Sequence, residues 1–583
     1  MRSIRRVLRA MRPYRAQVLL NWLFMACLVS ADLGIPRMLQ RVIDEGIRAG
    51  DGRLILRSSI VMVGLILVSA ASTVGATTMA VRVSQSVGAD LRRSLFSRAL
   101  SLSASNLDKW STGQLITRST SDVQQVTQFV FFTGRMFLRV PLVAVGSMTM
   151  MALTDWRLSA VMLFILPASL AIFFWYAGRA QPFFLGVQRG LDRLNTIFQE
   201  NVAGARVVKA FVRASREEER FDGVNAELTE RSVRVGRFLA VLMPMLTFLV
   251  NLGIVAVIGG GGYLAARGRL SAGEIVAFIN YLLWMLMALS HLGSMVSFIS
   301  ASDASAERIF EVIDEEPAVV DADGAARLSE PEGRVTLDKA SFAYDSREHE
   351  PVLRDIDLDV EPGQTVAILG TTGSGKSTLV GLIPRQYDVQ GGVVAVDGHD
   401  VRGLTLESLR LAIATVPQDT VLFSGTIRDN IRFGKPDAGD DEVIAAAQAA
   451  QAHGFVSALP DGYDSVLGQR GVNLSGGQRQ RLAIARALLV KPSVLILDDS
   501  TSAVDVETET ALQDALAEYC AGRSTVLVAQ RVSSVLGADR IIVLERGRVA
   551  ASGTHRELLE TCAAYREIYD TQLGGASGAE VRA

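Results

Sequence analysis

Gly370, Thr371, Thr372, Gly373, Ser374, Gly375, Lys376 and Ser377 follow one another in the pattern G-x-x-x-x-G-K-[ST]. Glycines at these places let backbone N–H groups converge on phosphate oxygens, so the chemistry is that of a bound nucleoside triphosphate. Lys376 is the residue to reach the β and γ phosphates, Ser377 the one to ligate Mg²⁺, and Thr378 lies at the start of the helix whose dipole faces the anion. Downstream, the apolar run Val494–Leu497 ends in Asp498, a carboxylate of the kind that holds Mg²⁺ through water. A third group, Leu474, Ser475, Gly476, Gly477 and Gln478, falls between those two segments in the order of the chain.

A phosphate loop of this kind needs a strand before it and a helix after it. The run Thr365–Leu369 and the apolar pattern from about Thr378 supply both. From Arg334 onward, β-rich runs alternate with helical patterns, which predicts an α/β domain. The part before about Phe298 is different in kind. At 583 residues the chain is too long for one core, and its 49% hydrophobic content implies a membrane half. Four stretches, Ser58–Val81, Leu158–Gly178, Phe238–Ala266 and Ile275–Ala301, contain no Asp, Glu, Lys or Arg and are long enough to cross a bilayer. Ala16–Ala31 and Val140–Thr154 are weaker candidates, flanked by Asp32 and by Arg135 and Arg139. Counting them gives six spans, an even number that returns the chain to its starting side.

Loop charge orients the spans. The Arg-rich N-terminus and the long connections Arg82–Gln128 and Arg179–Arg237 belong in the cytosol by the positive-inside rule. Asp155–Arg157 and Arg267–Glu274 are short and external, and the first external loop is expected over Gln40–Arg57 with mixed charge. Both long connections mix apolar and charged residues in helical fashion, as in Gln85–Leu100 and Leu191–Phe221, and predict helices reaching beyond the membrane. The expected organisation is an α-helical membrane domain over 1–302, a linker over 303–333 and an α/β P-loop ATPase domain over 334–583.

Composition excludes several alternatives. With 59 Lys plus Arg against 61 Asp plus Glu there is no global basic field, and nucleic acid is not an expected partner. Cys27, Cys520 and Cys562 fit neither a disulfide framework nor a metal-ligand spacing and read as small apolar residues. The arginines from Arg2 to Arg15 precede an apolar run without a convincing cleavage site, so an uncleaved membrane anchor is expected.

Taken together, the two phosphate-site segments and the Leu474–Gln478 pentapeptide between them resemble the ATP-binding-cassette transporters. The resemblance covers nearly the whole chain and points to the half-transporters with an exporter-type fold, in which six membrane helices precede one nucleotide-binding domain. It implies ATP and Mg²⁺ as cofactors, and Tyr344 as the aromatic that stacks on adenine. Gln418, in Val416-Pro417-Gln418-Asp419, is implied to touch Mg²⁺ and relay motion to the membrane. Ser502, Ala503, Val504 and Asp505 resemble the D-loop, and Glu200–Phe211 resembles the second cytosolic loop, whose short transverse helix docks on a nucleotide-binding domain. Ser475, Gly476, Gly477 and Gln478 are implied to complete the ATP site of a second half-transporter.

Three residues depart from the family pattern. Asp499 stands where Glu usually polarises the attacking water, and one methylene less withdraws the carboxylate by roughly 1.5 Å, where about 1 Å of misplacement can cost about 10²-fold in rate. Gln530 stands where His is usual; its amide donates a hydrogen bond but cannot take and return a proton. Gln469 replaces a common Glu in Gly468–Gly471. The pentapeptide is intact, so the expectation is a non-identical partner that carries Glu and His, the present chain contributing a degenerate site. The reading is a subunit exporting hydrophobic or amphipathic small molecules across a bacterial inner membrane, with its N-terminus and nucleotide-binding domain cytoplasmic and membrane lipid around it. Import with the same fold, and an ATP-gated regulatory or channel-type subunit, are the alternatives. Asp32, Arg135 and Arg139 in or near spans, and Phe173, Phe174, Trp175, Trp284 and Met285, are candidates to meet the substrate.

Overall fold

The structure is a computed structural model that describes residues 2–344, 350–501 and 504–572, leaving out the side chains of residues 2, 163, 173, 177, 181, 289–297 and 506. Two compact units make up the chain: Met1–Leu100 with Thr112–Asp314, and Ser101–Ser111 with Glu315–Ala583.

The first unit is helical. After α1 (Arg2–Ala10) come α2 (Arg15–Arg41), α3 (Gly52–Ser101), α4 (Val123–Thr154), α5 (Met162–Ala203), α6 (Ala214–Ala266) and α7 (Ala272–Asp314). Among the described residues, five helical runs are long and apolar enough to cross a membrane, and α7 opens with the apolar stretch Ala272–Ala288. The weaker candidate spans lie inside longer helices: α2 carries Asp32 and Pro36 within its length, and α4 carries Arg135, Arg139 and Pro141. One expectation is corrected. The segment Gln40–Arg57, expected as a loop, is helical or π-helical through Ile47 and helical again from Gly52, leaving a turn of only a few residues, because apolar Val42, Ile43 and Ile47 continue the helical pattern past Arg41. The stretch from Asp303 divides as well, helical to Asp314 and without regular structure from Glu315 to Arg334. Val83, Val87 and Leu91 of α3, Val126 and Val130 of α4, and Ala306 and Ile309 of α7 share one core with Val7 of α1. Spacings of three and four put those residues on one stripe of each helix.

The second unit holds two main sheets. In one, β2 (Leu353–Val360), β1 (Val335–Phe342), β4 (Gly391–Val396) and β5 (His399–Asp400) lie in that order. The other has six strands in the order β10 (Arg548–Gly553), β9 (Arg540–Glu545), β3 (Thr365–Gly370), β8 (Ser524–Ala529), β7 (Val494–Asp498), β6 (Ile413–Val416), parallel except for the edge pair β9 and β10. Its central strands are apolar without alternation because both faces are covered. Val366 and Ile368 of β3, Val494 and Ile496 of β7, and Val526 and Val528 of β8 enter one core, while Ala367, Leu369, Leu495, Leu497, Leu527 and Ala529 enter the other. Parallel pairing puts the ends of β3, β7 and β8 side by side, with Val528 opposite both Ile368 and Asp498.

Candidate functional site

At the carboxyl end of β3 the chain turns through the phosphate loop into α8 (Lys376–Leu382). Gly375, the residue before α8, has φ +100°, and a Cβ there would meet Leu353 Cδ2 at 2.8 Å. At Gly370 a Cβ would meet the carbonyl oxygen of Leu544 at 2.3 Å, so the loop passes too close to β9 for any side chain.

An open cleft of about 370 Å³ is lined by Tyr344, Thr372, Gly373, Gly375, Lys376, Ser377, Thr378, Gln418, Asp498, Asp499 and Gln530, together with Val352 and Val528. Its size is within the range of small-molecule sites. Lys376 is buried, and its Nζ donates to the carbonyl oxygens of Gly370 (2.9 Å) and Thr371 (3.0 Å). Burial pushes its ammonium below the ordinary lysine range, against the attraction of Asp499 and Asp498. Ser377 Oγ donates to Asp498 Oδ1 at 3.1 Å, so a hydroxyl and a carboxylate, both hard oxygen donors, sit together beside the phosphate loop. This pair suits Mg²⁺, which takes one or two protein oxygens and completes its shell from phosphate and water.

Asp499 follows β7 in left-handed backbone, φ 48°, and its N–H donates to the carbonyl of Val528 at 3.0 Å. Gln418 Nε2 and Gln530 Nε2 both donate to its Oδ2, at 3.0 and 2.8 Å. Three loops that are far apart in the chain therefore converge on one carboxylate oxygen. Burial raises the pKa of both Asp498 and Asp499 above the ordinary aspartate value, with the neighbouring carboxylate adding to the rise at Asp498.

Tyr344 is half exposed at the cleft, its hydroxyl 2.9 Å from Thr378 Oγ1. Edge-to-face packing sets it against Phe342 and Tyr387. Ser374 is buried behind the loop, and Gly370 and Thr371 face a separate cleft beside α10 (Ala563–Gln572). Ser475, Gly476, Gly477 and Gln478 do not line the cleft around Lys376. They open α9 (Gly476–Leu489) with a reciprocal cap: Gln478 N–H donates to Ser475 Oγ at 3.2 Å, and Ser475 N–H to Gln478 Oε1 at 2.9 Å. Of the D-loop residues, Ser502 and Ala503 lie outside the described residues, and Asp505 caps the following helix by accepting from Thr508 N–H at 3.0 Å. Gln469 opens a tight turn in which Arg470 takes φ 56°.

Sequence reasoning missed three supports of this site. Tyr387 donates its hydroxyl to Asp108 Oδ2 at 2.7 Å, linking the Tyr344 cluster to the Ser101–Ser111 segment of the same unit. Burial and that bond push the Tyr387 phenol above its ordinary range. Gln572 brackets the Gln530 loop, donating to Gln530 O at 2.9 Å and accepting from Val532 N–H at 2.8 Å. Buried Glu509 accepts from Thr501 Oγ1 (2.9 Å) and Ser534 Oγ (2.5 Å). None carries a motif, because each is defined by a partner remote in sequence. In the helical unit, Phe174 and Trp175 are exposed and Met285 is buried, while Trp284 shares a cavity with Arg139; the Phe173 side chain lies outside the described residues.

Comparison with known proteins agrees with both units. Residues 18–289 match the family profile described as ABC transporter transmembrane region, and residues 353–502 the one described as ABC transporter. An uncharacterized ABC transporter ATP-binding protein of Bacillus subtilis (strain 168), YfiB, is 38% identical over 577 residues, 98% of this chain and 99% of that protein. A Staphylococcus aureus (strain NCTC 8325 / PS 47) protein provisionally named a multidrug export ATP-binding/permease protein is 37% identical over 484 residues, 83% of each chain. Among solved structures, a bacterial Atm1-family ABC exporter with ATP bound superimposes with a TM-score of 0.81 at 27% identity, over 96% of this chain and 98% of that one.

Proposed function

The chain belongs to the ABC transporters, and from that premise we propose that it is the subunit of a heterodimeric exporter whose own nucleotide site holds ATP longer than it splits it. As a family member it is a multi-pass membrane protein with an ATPase domain that binds ATP and couples its hydrolysis to transport. The observation that carries the finer reading is the state of Asp499: a short carboxylate whose Oδ2 accepts from two glutamine amides, in a cleft that no histidine among the described residues lines. Gln530 offers a donor to a γ-phosphate and no proton exchange, so neither residue replaces the usual Glu and His pair.

In this proposal Lys376 and the loop amides hold the phosphates, Tyr344 meets the adenine, and Ser377, Asp498 and Gln418 face Mg²⁺. Bound there, Mg²⁺ would neutralise phosphate charge. Ser475–Gln478 would serve the partner's ATP, where a non-identical chain supplies Glu and His. Export is favoured by the names of the S. aureus relative and of the Atm1-family exporter structure, and hydrophobic or amphipathic small molecules are the proposed cargo. The apolar helices and the Arg-rich N-terminus support an inner-membrane protein with its N-terminus and ATPase domain in the cytoplasm. The test is ATP turnover by the purified chain alone in lipid, with ATP binding as folding control. We expect binding with little turnover, and a rise of about 10²-fold in Asp499→Glu/Gln530→His; brisk turnover by the unaltered chain would overturn the degenerate-site reading.

A further inference from the structure

Ser69 of α3 sits at the middle of the charge-free stretch Ser58–Val81, about 17 Å from either end at about 1.5 Å per residue. At that depth its Oγ donates to Asp32 Oδ1 of α2 at 2.7 Å, and Asp32 Oδ2 is 3.6 Å from Nη2 of Arg139 on α4. Three helices thus meet at an ion pair near the bilayer centre, where ionisable side chains are costly and mark function by default. The pair is asymmetric. The Asp32 side chain is 10% exposed and engaged on both oxygens, whereas that of Arg139 is 30% exposed.

Arg139 also borders a cavity of about 60 Å³ with Met136, Val143, Trp284 and Met287; it is the one charged lining group among the described residues, and Asp32 does not reach the lining. One turn along α4, the Nε of Arg135 is buried without a hydrogen-bond partner among the described residues, its guanidinium 5.6 Å from the Phe131 ring centroid. Two guanidiniums against one carboxylate leave an excess of one positive charge.

We infer that this is a binding site for the head of an amphipathic organic anion. Its carboxylate, sulfonate or phosphate oxygen takes Arg139 in competition with Asp32, and only the first carbons of its apolar chain, next to the head, meet Trp284 and the two methionines. The cavity admits a head group and not a drug-sized body. A cation is disfavoured because no carboxylate among the described residues lines the cavity, and Asp32 is already paired. This inference rests on the transporter reading and names a substrate class for it.

The test uses the full chain in phosphatidylcholine nanodiscs, titrated with 11-(dansylamino)undecanoate and with a trimethylammonium analogue of equal chain length. Expected is saturable binding of the anion and not of the cation. Arg139→Gln should weaken the anion at least about tenfold, the loss of one charge-assisted contact. Asp32→Asn, which removes the competing carboxylate, should bind as tightly as the parent or tighter. The double variant Asp32→Asn/Arg139→Gln keeps a neutral hydrogen-bonding pair and should fold normally while losing the anion. Equal binding of both probes, an Arg139→Gln variant within about twofold of the parent, or an Asp32→Asn variant weakened as much as Arg139→Gln would overturn the site and leave a structural ion pair. ATP binding on the same preparations reports separately on the nucleotide-site reading, so loss of the anion result with ATP binding intact defeats this inference alone.

Discussion

Asp499 and Asp498 are adjacent in sequence and differ in what surrounds them. Asp498 ends β7, is buried and accepts from Ser377, whereas Asp499 has turned into left-handed backbone and accepts two amides. Both carboxyls have raised pKa values, chiefly from burial. A carboxyl raised in the folded state binds more protons there than in the unfolded chain across the interval between the two values. Its favourable contribution is therefore present below the unfolded value and lost as pH rises through the folded one. Two outcomes are expected. Without nucleotide, thermal stability should fall as pH climbs out of the ordinary carboxylate range, and Asp498→Asn should flatten that fall and raise the midpoint at neutral pH. Mg²⁺-dependent ATP binding, which needs the ionised form, should strengthen over the same interval and be lost in Asp498→Asn. Thermal melts against pH, with and without Mg²⁺ and ATP, measure both.

Elements matter where a short segment depends on distant backbone. The Ser101–Ser111 segment belongs to the second unit through Asn106, which is 2% exposed. Its Nδ2 donates to Glu315 Oε1 (2.8 Å) and Glu316 O (3.0 Å), and its Oδ1 accepts from Ala318 N–H (2.8 Å). Lys109 pairs with Glu315, and Asp108 accepts from Tyr387. Asn106→Ala strips one side chain of four bonds, the fourth accepted from Ser103 Oγ, and leaves buried groups unmatched, a cost of about 1–3 kcal/mol. Hydrogen exchange over 101–111 should quicken by about 10-fold or more in that variant, with the strands of the six-stranded sheet unchanged. An unchanged rate would show that Lys109 and Asp108 suffice.

For the whole molecule, the separation of the pentapeptide from the cleft is the decisive fact: Ser475–Gln478 cap α9 and do not line the site containing Lys376. Under the proposed heterodimer, the two regions of this chain serve different ATP molecules. In the assembled transporter, Ser475→Ala should lower ATP turnover by about 10²-fold, the effect of removing one donor at a competent phosphate site. Asp499→Asn in the same assembly should leave turnover nearly unchanged. Steady-state ATPase rates of the two variants decide it, and a large loss with Asp499→Asn would place hydrolysis at this chain's own site.

The phosphate loop, the strand ending in Asp498 and the pentapeptide were legible because each is a short run whose chemistry needs its residues side by side in the chain. Apolar runs announced the membrane helices for the same local reason, as did the buried strands β3, β7 and β8. The helical continuation through Val42–Ile47 was misread as loop because charge along Gln40–Arg57 masked its apolar positions. What the sequence determined by itself was thus the set of local units, the family they form and the two departures at Asp499 and Gln530. Only the tertiary structure decided that Gln418, Asp499 and Gln530 meet at one oxygen, that Gln572 holds the Gln530 loop, and that Asp32 faces Arg139 rather than the cavity. Those contacts join residues tens to over a hundred positions apart. They follow from which strand ends lie side by side and which helix faces pack, and no local pattern of residues encodes that pairing.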